Sequence, residues 1–175
     1  MKDLFVPHLQ TIVSMLFVFF LRDRHNALVL KTITSLAQFY GRDHTSLFYT
    51  IIRQIASIAC KQHTYNNEEY VKELIKVLSV LSSICYVLLN EDKECIQQVI
   101  EIAYHYILTA SHQPRGACLM MFNKMLQMEI VNENINAVFT QMAPQMLDVG
   151  VSLFFLDFLH IIARMYYGKF LAGIE

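Results

Sequence analysis

Residues 66–85 read NNEEYVKELIKVLSVLSSIC, and this stretch decides the fold class. Val71, Leu74, Ile75, Leu78, Leu81 and Cys85 recur at intervals of three and four, the spacing of one face of an α-helix. Asn66 and Asn67 stand just ahead of Glu68 and Glu69. An acidic first turn is what the partial positive charge of a helix N-terminus favours. The spacing predicts a helix that continues to about residue 89.

The same pattern extends outward in both directions. Asn90-Glu91-Asp92 reads as a turn and cap, opening a helix through Ile96, Val99, Ile100, Ala103 and Ile107. Pro114 sits where proline is tolerated, in the first turn of a further helix. That helix carries Leu119, Met121, Phe122, Met125, Leu126 and Met128. Residues 132–134 start another, with Ile135, Val138, Phe139 and Met142, and residues 151–171 form the last. Towards the N-terminus, Asp43 and Thr45 offer caps for a helix bearing Leu47, Phe48, Ile51, Ile52, Ile55 and Ile58. Gly41 ends a helix over residues 25–40, and the first helix covers residues 4–21. No window shows sustained strand alternation. The reading is all-α: about eight antiparallel helices in four helix-turn-helix pairs joined by short turns.

Composition agrees with a buried helical core. Of 175 residues 55% are hydrophobic and 17% charged, and mean hydropathy is +0.37, which excludes a disordered chain. Gly 5 and Pro 3 speak against collagen-like, linker-like and turn-dense all-β chains. A formal net charge of −1 provides no global field for nucleic acid or anionic lipid. Length predicts one domain over residues 1–175, complete or a piece of a longer repeat protein.

Cys60, Cys85, Cys95 and Cys118 lie within apolar helical stretches, where cysteine behaves as a small hydrophobe. Free thiols in a reducing intracellular compartment, cytoplasm or nucleus, are expected. The absence of any Asn-x-Ser/Thr acceptor points the same way. Residues 4–21 carry no charge and reach the length of a membrane span, about 18 residues. Pro7, His8, Gln10 and Thr11 occupy the first half, however, so a buried helix is the better account.

The helix pairs begin near residues 1, 44, 91 and 133, a period in the forties. Phe5-x-Pro7-x-Leu9 and Met142-x-Pro144-x-Met146 share one pattern about three periods apart. The same register falls on Ile51-x-Arg53-x-Ile55 and Gln97-x-Val99-x-Glu101. Asp23 precedes Ala27, Leu30, Ile33 and Leu36. In these features the chain resembles the HEAT/armadillo family, whose repeats span about 40–47 residues. The resemblance implies an α-solenoid that holds partners on one extended face; a closed helical bundle is the alternative.

Motifs of catalysis are missing. The glycines are isolated, so no phosphate loop forms, and neither a nucleophile elbow nor His-Glu-x-x-His occurs. Cys60-x-x-His63 has no second pair to complete a zinc site. Asp157 and His160 share a helical face, but no nucleophile is placed beside them. No enzyme, cofactor or metal site is expected.

Binding is the expected role. The second helix of each pair contributes basic residues: Lys31, then Lys72 and Lys76, then Arg115 and Lys124, then Arg164 and Lys169. Lys72 and Lys76 lie one turn apart on a shared face. A groove carrying Lys72, Lys76, Lys124 and Arg164 would suit an acidic peptide. Met121, Met125 and Met128 form a stripe that reads as core, with an adaptable binding surface as the alternative. Apolar residues surround the first helix and the 151–171 helix on every side, which implies that the two meet one another, or that another chain or further sequence covers them. Phe154, Phe155, Phe158 and Leu159 are then candidates for contact with another protein or a second copy. The expected function is a non-catalytic scaffold docking a partner's helix or linear peptide. A membrane-associated protein inserting a terminal helix is the alternative, and nucleic acid is not an expected partner.

Overall fold

The computed structural model describes residues 5–23, 26–61, 67–109 and 112–127. Among them are a 3-10 turn, Val6–His8, and seven α-helices: α1 Leu9–Arg22, α2 Ala27–Tyr40, α3 Thr45–Cys60, α4 Glu68–Ile84, α5 Tyr86–Glu91, α6 Lys93–Thr109 and α7 His112–Gln127. The described residues are all-α and contain no strand. The expected helices at 132–147 and 151–171 lie outside the described residues.

Short polar side chains define the helix starts. Asn26 Oδ1 accepts from the Val29 N–H at 3.2 Å, Asn67 Oδ1 from the Tyr70 N–H at 3.2 Å, and Asp92 Oδ1 from the Cys95 N–H at 3.1 Å. Each satisfies an N–H that the helix itself leaves free, a contribution of about 1 kcal/mol. Asn67 and Asp92 act as the sequence predicts, and Pro114 falls in the first turn of α7.

Several boundaries differ from expectation. Pro7 sits in the 3-10 turn and α1 begins two residues later, because proline lacks the N–H a helix interior would use. The helix expected from residue 25 starts at Ala27, behind the Asn26 cap. Neither Asp43 nor Thr45 caps α3: His44 holds the cap position, and the Thr45 hydroxyl donates back to the carbonyls of Gly41 and Arg42. The long helix predicted to residue 89 breaks at Cys85. There the backbone turns to φ −101°, ψ 17°, and the short α5 leaves in a new direction.

Packing follows one scheme. Each long helix packs on its partner in sequence, α1 on α2, α3 on α4 and α6 on α7; α2 also packs on α4, α4 on α7, and α3 on α6. Side-chain contacts give the orientation. Tyr49 of α3 meets Asp92 at the start of α6, and Cys60 at the end of α3 meets Glu101 further along α6, so α3 and α6 run parallel. Gly41, just past α2, lies against Ile84 at the end of α4, so those two are parallel as well. The Cys85 thiol, after α4, donates to the Thr45 carbonyl at the start of α3, which makes α3 and α4 antiparallel. Contacts across elements thus join residues 43, 41 and 40 apart in sequence.

Gly41 has helical dihedrals, φ −61° and ψ −35°, rather than the left-handed ones typical of a helix end. Its role is close approach. A Cβ there would stand 2.6 Å from Ile84 Cδ1 and would also collide with the Ala37 carbonyl.

Buried apolar residues from Leu9 to Met125 form one continuous core. Met121 and Met125 belong to it, as the helical stripe implies, whereas Met120 is 70% exposed. Within the described residues helix α1 is covered on one side only. Leu9, Val13 and Phe20 are buried, but Met15, Val18, Phe19 and Leu21 remain exposed, because α1 packs on α2 and only borders a groove towards α3. Among the described residues no helix is long and apolar enough to cross a membrane.

Candidate docking surfaces

Helices α2, α4 and α7 lie side by side, and each leaves one face open to solvent. Helix α4 is flanked by α2 and α7 and backed by α3, so its open side points away from α3. Lys72 and Lys76 stand on that side, both exposed; Lys31 on α2 and Lys124 on α7 are exposed too. Neither α2 nor α7 contains an acidic residue. On α4 the acids are Glu68 and Glu69 in the first turn and Glu73, which is largely buried. Glu73 Oε2 is buried without a hydrogen bond, and Lys76 Nζ approaches it only to 4.0 Å. With the Lys76 side chain 48% exposed, solvent screening leaves that pair at well under about 1 kcal/mol. Counted over the three helices, Lys31, Lys72, Lys76 and Lys124 outnumber the exposed Glu68 and Glu69, which lie one turn before Lys72 on α4, so a positive excess remains.

Of the expected lysines, Lys72 and Lys76 share this side of α4, while Lys124 on α7 and Lys31 on α2 are exposed on the helices that flank it. Arg115 does not join them: its Nε is buried. Arg164, Lys169, Phe154, Phe155, Phe158 and Leu159 lie outside the described residues, as do His63, Met128, Asp157 and His160.

A concave feature lies between α1 and α3. Whereas α3 and α6 pack closely, α1 and α3 flank a groove. One lobe of about 720 Å³ runs from Val6 and Pro7 past Ser14, Val18 and Leu47; another of about 460 Å³ continues past Leu21, Arg53 and Ile58. Phe17, Thr50 and Gln54 line both lobes, so the groove is continuous. No sequence motif marks it, since it arises from the spacing between two helices.

Beside this groove Asp92 ties α3 to α6. Its Oδ2 accepts from the Tyr49 hydroxyl at 2.6 Å and from Arg53 Nε at 2.9 Å, and the Arg53 guanidinium lies 6.0 Å from the Tyr49 ring centre. Burial pushes the Asp92 carboxyl upward. Hydrogen bonds from Tyr49 and the backbone, with the Arg53 charge, outweigh that and hold it below the usual carboxylate range. Burial, then the Asp92 carboxylate, push the Tyr49 phenol up to about 12. Every partner of this carboxylate is occupied in holding the fold, so the cluster is a clasp.

The cysteines are free thiols. Cys85, Cys95 and Cys118 are buried, and burial pushes Cys85 and Cys95 to about 12 and Cys118 higher. Cys60 donates to Glu101 Oε2 at 3.3 Å, and Gln97 Nε2 donates to Glu101 Oε1 at 2.8 Å. Burial, with the Glu101 carboxylate, raises the Cys60 thiol to about 11. Such thiols hold little of the nucleophilic thiolate near neutral pH.

Comparison of the chain with protein-family models, curated proteins and solved structures gives no match.

Proposed function

We propose that this chain is a non-catalytic scaffold, an α-solenoid of HEAT/armadillo type that holds an acidic segment of another protein across α2, α4 and α7. One observation carries the reading: three adjacent helices present Lys31, Lys72, Lys76 and Lys124, and two of the three contain no acid. A partner's carboxylates supply the charge that this face lacks. Electrostatic complementarity of this kind governs encounter rate and register more than raw affinity.

The solenoid assignment draws support from the contact spacing. Tyr49–Asp92 and Cys60–Glu101 join the second pair to the third at 43 and 41 residues, and Gly41 lies against Ile84 between the first pair and the second, which fits a repeat of about 40–47 residues with each helix pair stacking in parallel on the next. In such a stack one helix of each pair lines an extended binding surface. Residues 1–175 are then one repeat domain. Free, largely buried thiols suit a reducing intracellular compartment.

The test is charge reversal with a defined probe. A fluorescent glutamate-rich peptide should bind the wild-type chain at low salt and release as ionic strength rises, because screening shortens to about 10 Å at 0.1 M. The double variant Lys72→Glu, Lys76→Glu should bind at least about tenfold more weakly while its circular dichroism stays native. Unchanged binding by a folded variant would sink the proposal.

A further inference from the structure

The first helix pair leaves one flank of the stack uncovered, on the side of α1 and α2 away from α3 and α4. Helix α1 exposes two sets of apolar residues. Val18 and Leu21 face the groove shared with α3, whereas Met15 and Phe19, four residues apart and so on one stripe, line neither lobe of it. They occupy the other flank, where Met15 is 55% and Phe19 49% exposed. On α2 the residues Leu30, Ile33 and Ala37 point into the core. Leu28 and Phe39 share a helical stripe on the outer side and are 70% and 65% exposed. Four large apolar side chains thus stand at the open end of the stack.

We propose that this end face pairs with the same face of a second copy of the chain, through Met15, Phe19, Leu28 and Phe39. Two observations select this occupant. The first is charge. In a two-fold dimer a patch meets itself, so any charge on it opposes its own copy. Helices α1 and α2 carry only Arg22 and Lys31 as charged residues, at the end of one helix and on the lysine face of the other. The four apolar side chains themselves carry none; the exposed Arg22 and Asp23, one turn beyond Phe19, stand at the rim with opposite signs, and the whole chain, at −1, opposes pairing little. The second is area. At these exposures the four side chains offer roughly 500 Å² per copy, taking 150–250 Å² for a large side chain. Ile12 and Thr32, both half-buried, add little, so the face offers about 600 Å² per copy, which two copies bring to the ~1,200 Å² lower bound of specific interfaces. Exposed apolar patches beyond a few hundred Å² are rare on monomers.

Sedimentation equilibrium on the full chain tests this. Wild type should be a dimer at micromolar concentration. Phe19→Glu should raise the dissociation constant about a hundredfold, because every substitution enters a two-fold interface twice and each loss is worth about tenfold. Leu28→Lys should act alike and decides the matter if Phe19→Glu fails to fold. Val18→Glu, facing the groove instead, should leave the dimer intact. A wild-type monomer at about 100 µM would overturn the proposal. So would a folded Phe19→Glu or Leu28→Lys variant that stays dimeric, or equal dissociation by Val18→Glu. Phosphatidylcholine vesicles that bind the wild-type chain and not Leu28→Lys would make lipid the occupant, and would overturn it as well.

Discussion

Asp92 concentrates several stabilising roles in one side chain. One oxygen caps α6 through the Cys95 N–H, and the other holds Tyr49 and Arg53 of α3. The side chain is only 14% exposed, so the Tyr49 bond is little screened, whereas Arg53, 55% exposed, contributes less. Asp92→Ala should cost about 2–4 kcal/mol, combining a lost cap with a lost charge-assisted hydrogen bond. Acid should erase part of this difference. The folded carboxyl titrates below its unfolded value, so its contribution is full above the unfolded pKa of about 3.9 and is lost as pH falls through the folded value. Urea unfolding of wild type and Asp92→Ala at neutral pH and near pH 2 should show the gap narrowing. A gap that stays constant would separate the stabilisation from the charge. Much of this residue was legible beforehand. Its position before an apolar helix marked a cap, but its reach to Tyr49 and Arg53 depended on which helices become neighbours.

At the scale of elements, Gly41 separates local preference from packing. In a helical conformation, replacing glycine by alanine ordinarily stabilises by about 0.4–1 kcal/mol, because the unfolded chain loses freedom. Here the added Cβ meets Ile84 and the Ala37 carbonyl, so overpacking reverses the sign. Gly41→Ala should destabilise by about 1–3 kcal/mol. Because Gly41 and Ile84 touch, their effects should not add. Ile84→Ala in the Gly41→Ala background should cost less than Ile84→Ala alone, as read from denaturant midpoints of the four proteins in the cycle. Strict additivity would remove Ile84 as the obstacle. The sequence marked Gly41 as a helix end, and that holds; the reason was invisible, because Ile84 belongs to the next helix pair. The break at Cys85 was hidden for a similar cause. Tyr86, Val87, Leu88 and Leu89 continue an apolar pattern, and periodicity alone carries no sign of a change in helix direction. The apolar composition of α1 was legible, but which of its sides lacks a neighbour within the chain was not, because that depends on how the helices pack.

At the scale of the whole molecule, parallel stacking of helix pairs predicts how damage spreads. In a stack each pair touches only its neighbours, so stability is close to a sum of repeat terms and interface terms. In a closed bundle every helix shares one core, and unfolding is all-or-none. Phe20 in α1 is fully buried, and α1 packs on α2 rather than on α6 or α7. Phe20→Ala should cost about 3–5 kcal/mol through lost transfer energy and the cavity left behind. A stack confines most of that loss to α1 and α2. Their amides should then exchange with solvent orders of magnitude faster, since each 1.4 kcal/mol of local stability is a tenfold change, while α6 and α7 keep wild-type protection. Hydrogen exchange resolved to individual helices would read the two patterns apart. Equal loss of protection from α1 through α7 would mean a single cooperative core, and the repeat reading would give way to the closed bundle. Local loss would show that the spacing of about forty residues is energetic as well as geometric. The lysine face would then remain ordered on α4 and α7 when the first helix pair opens.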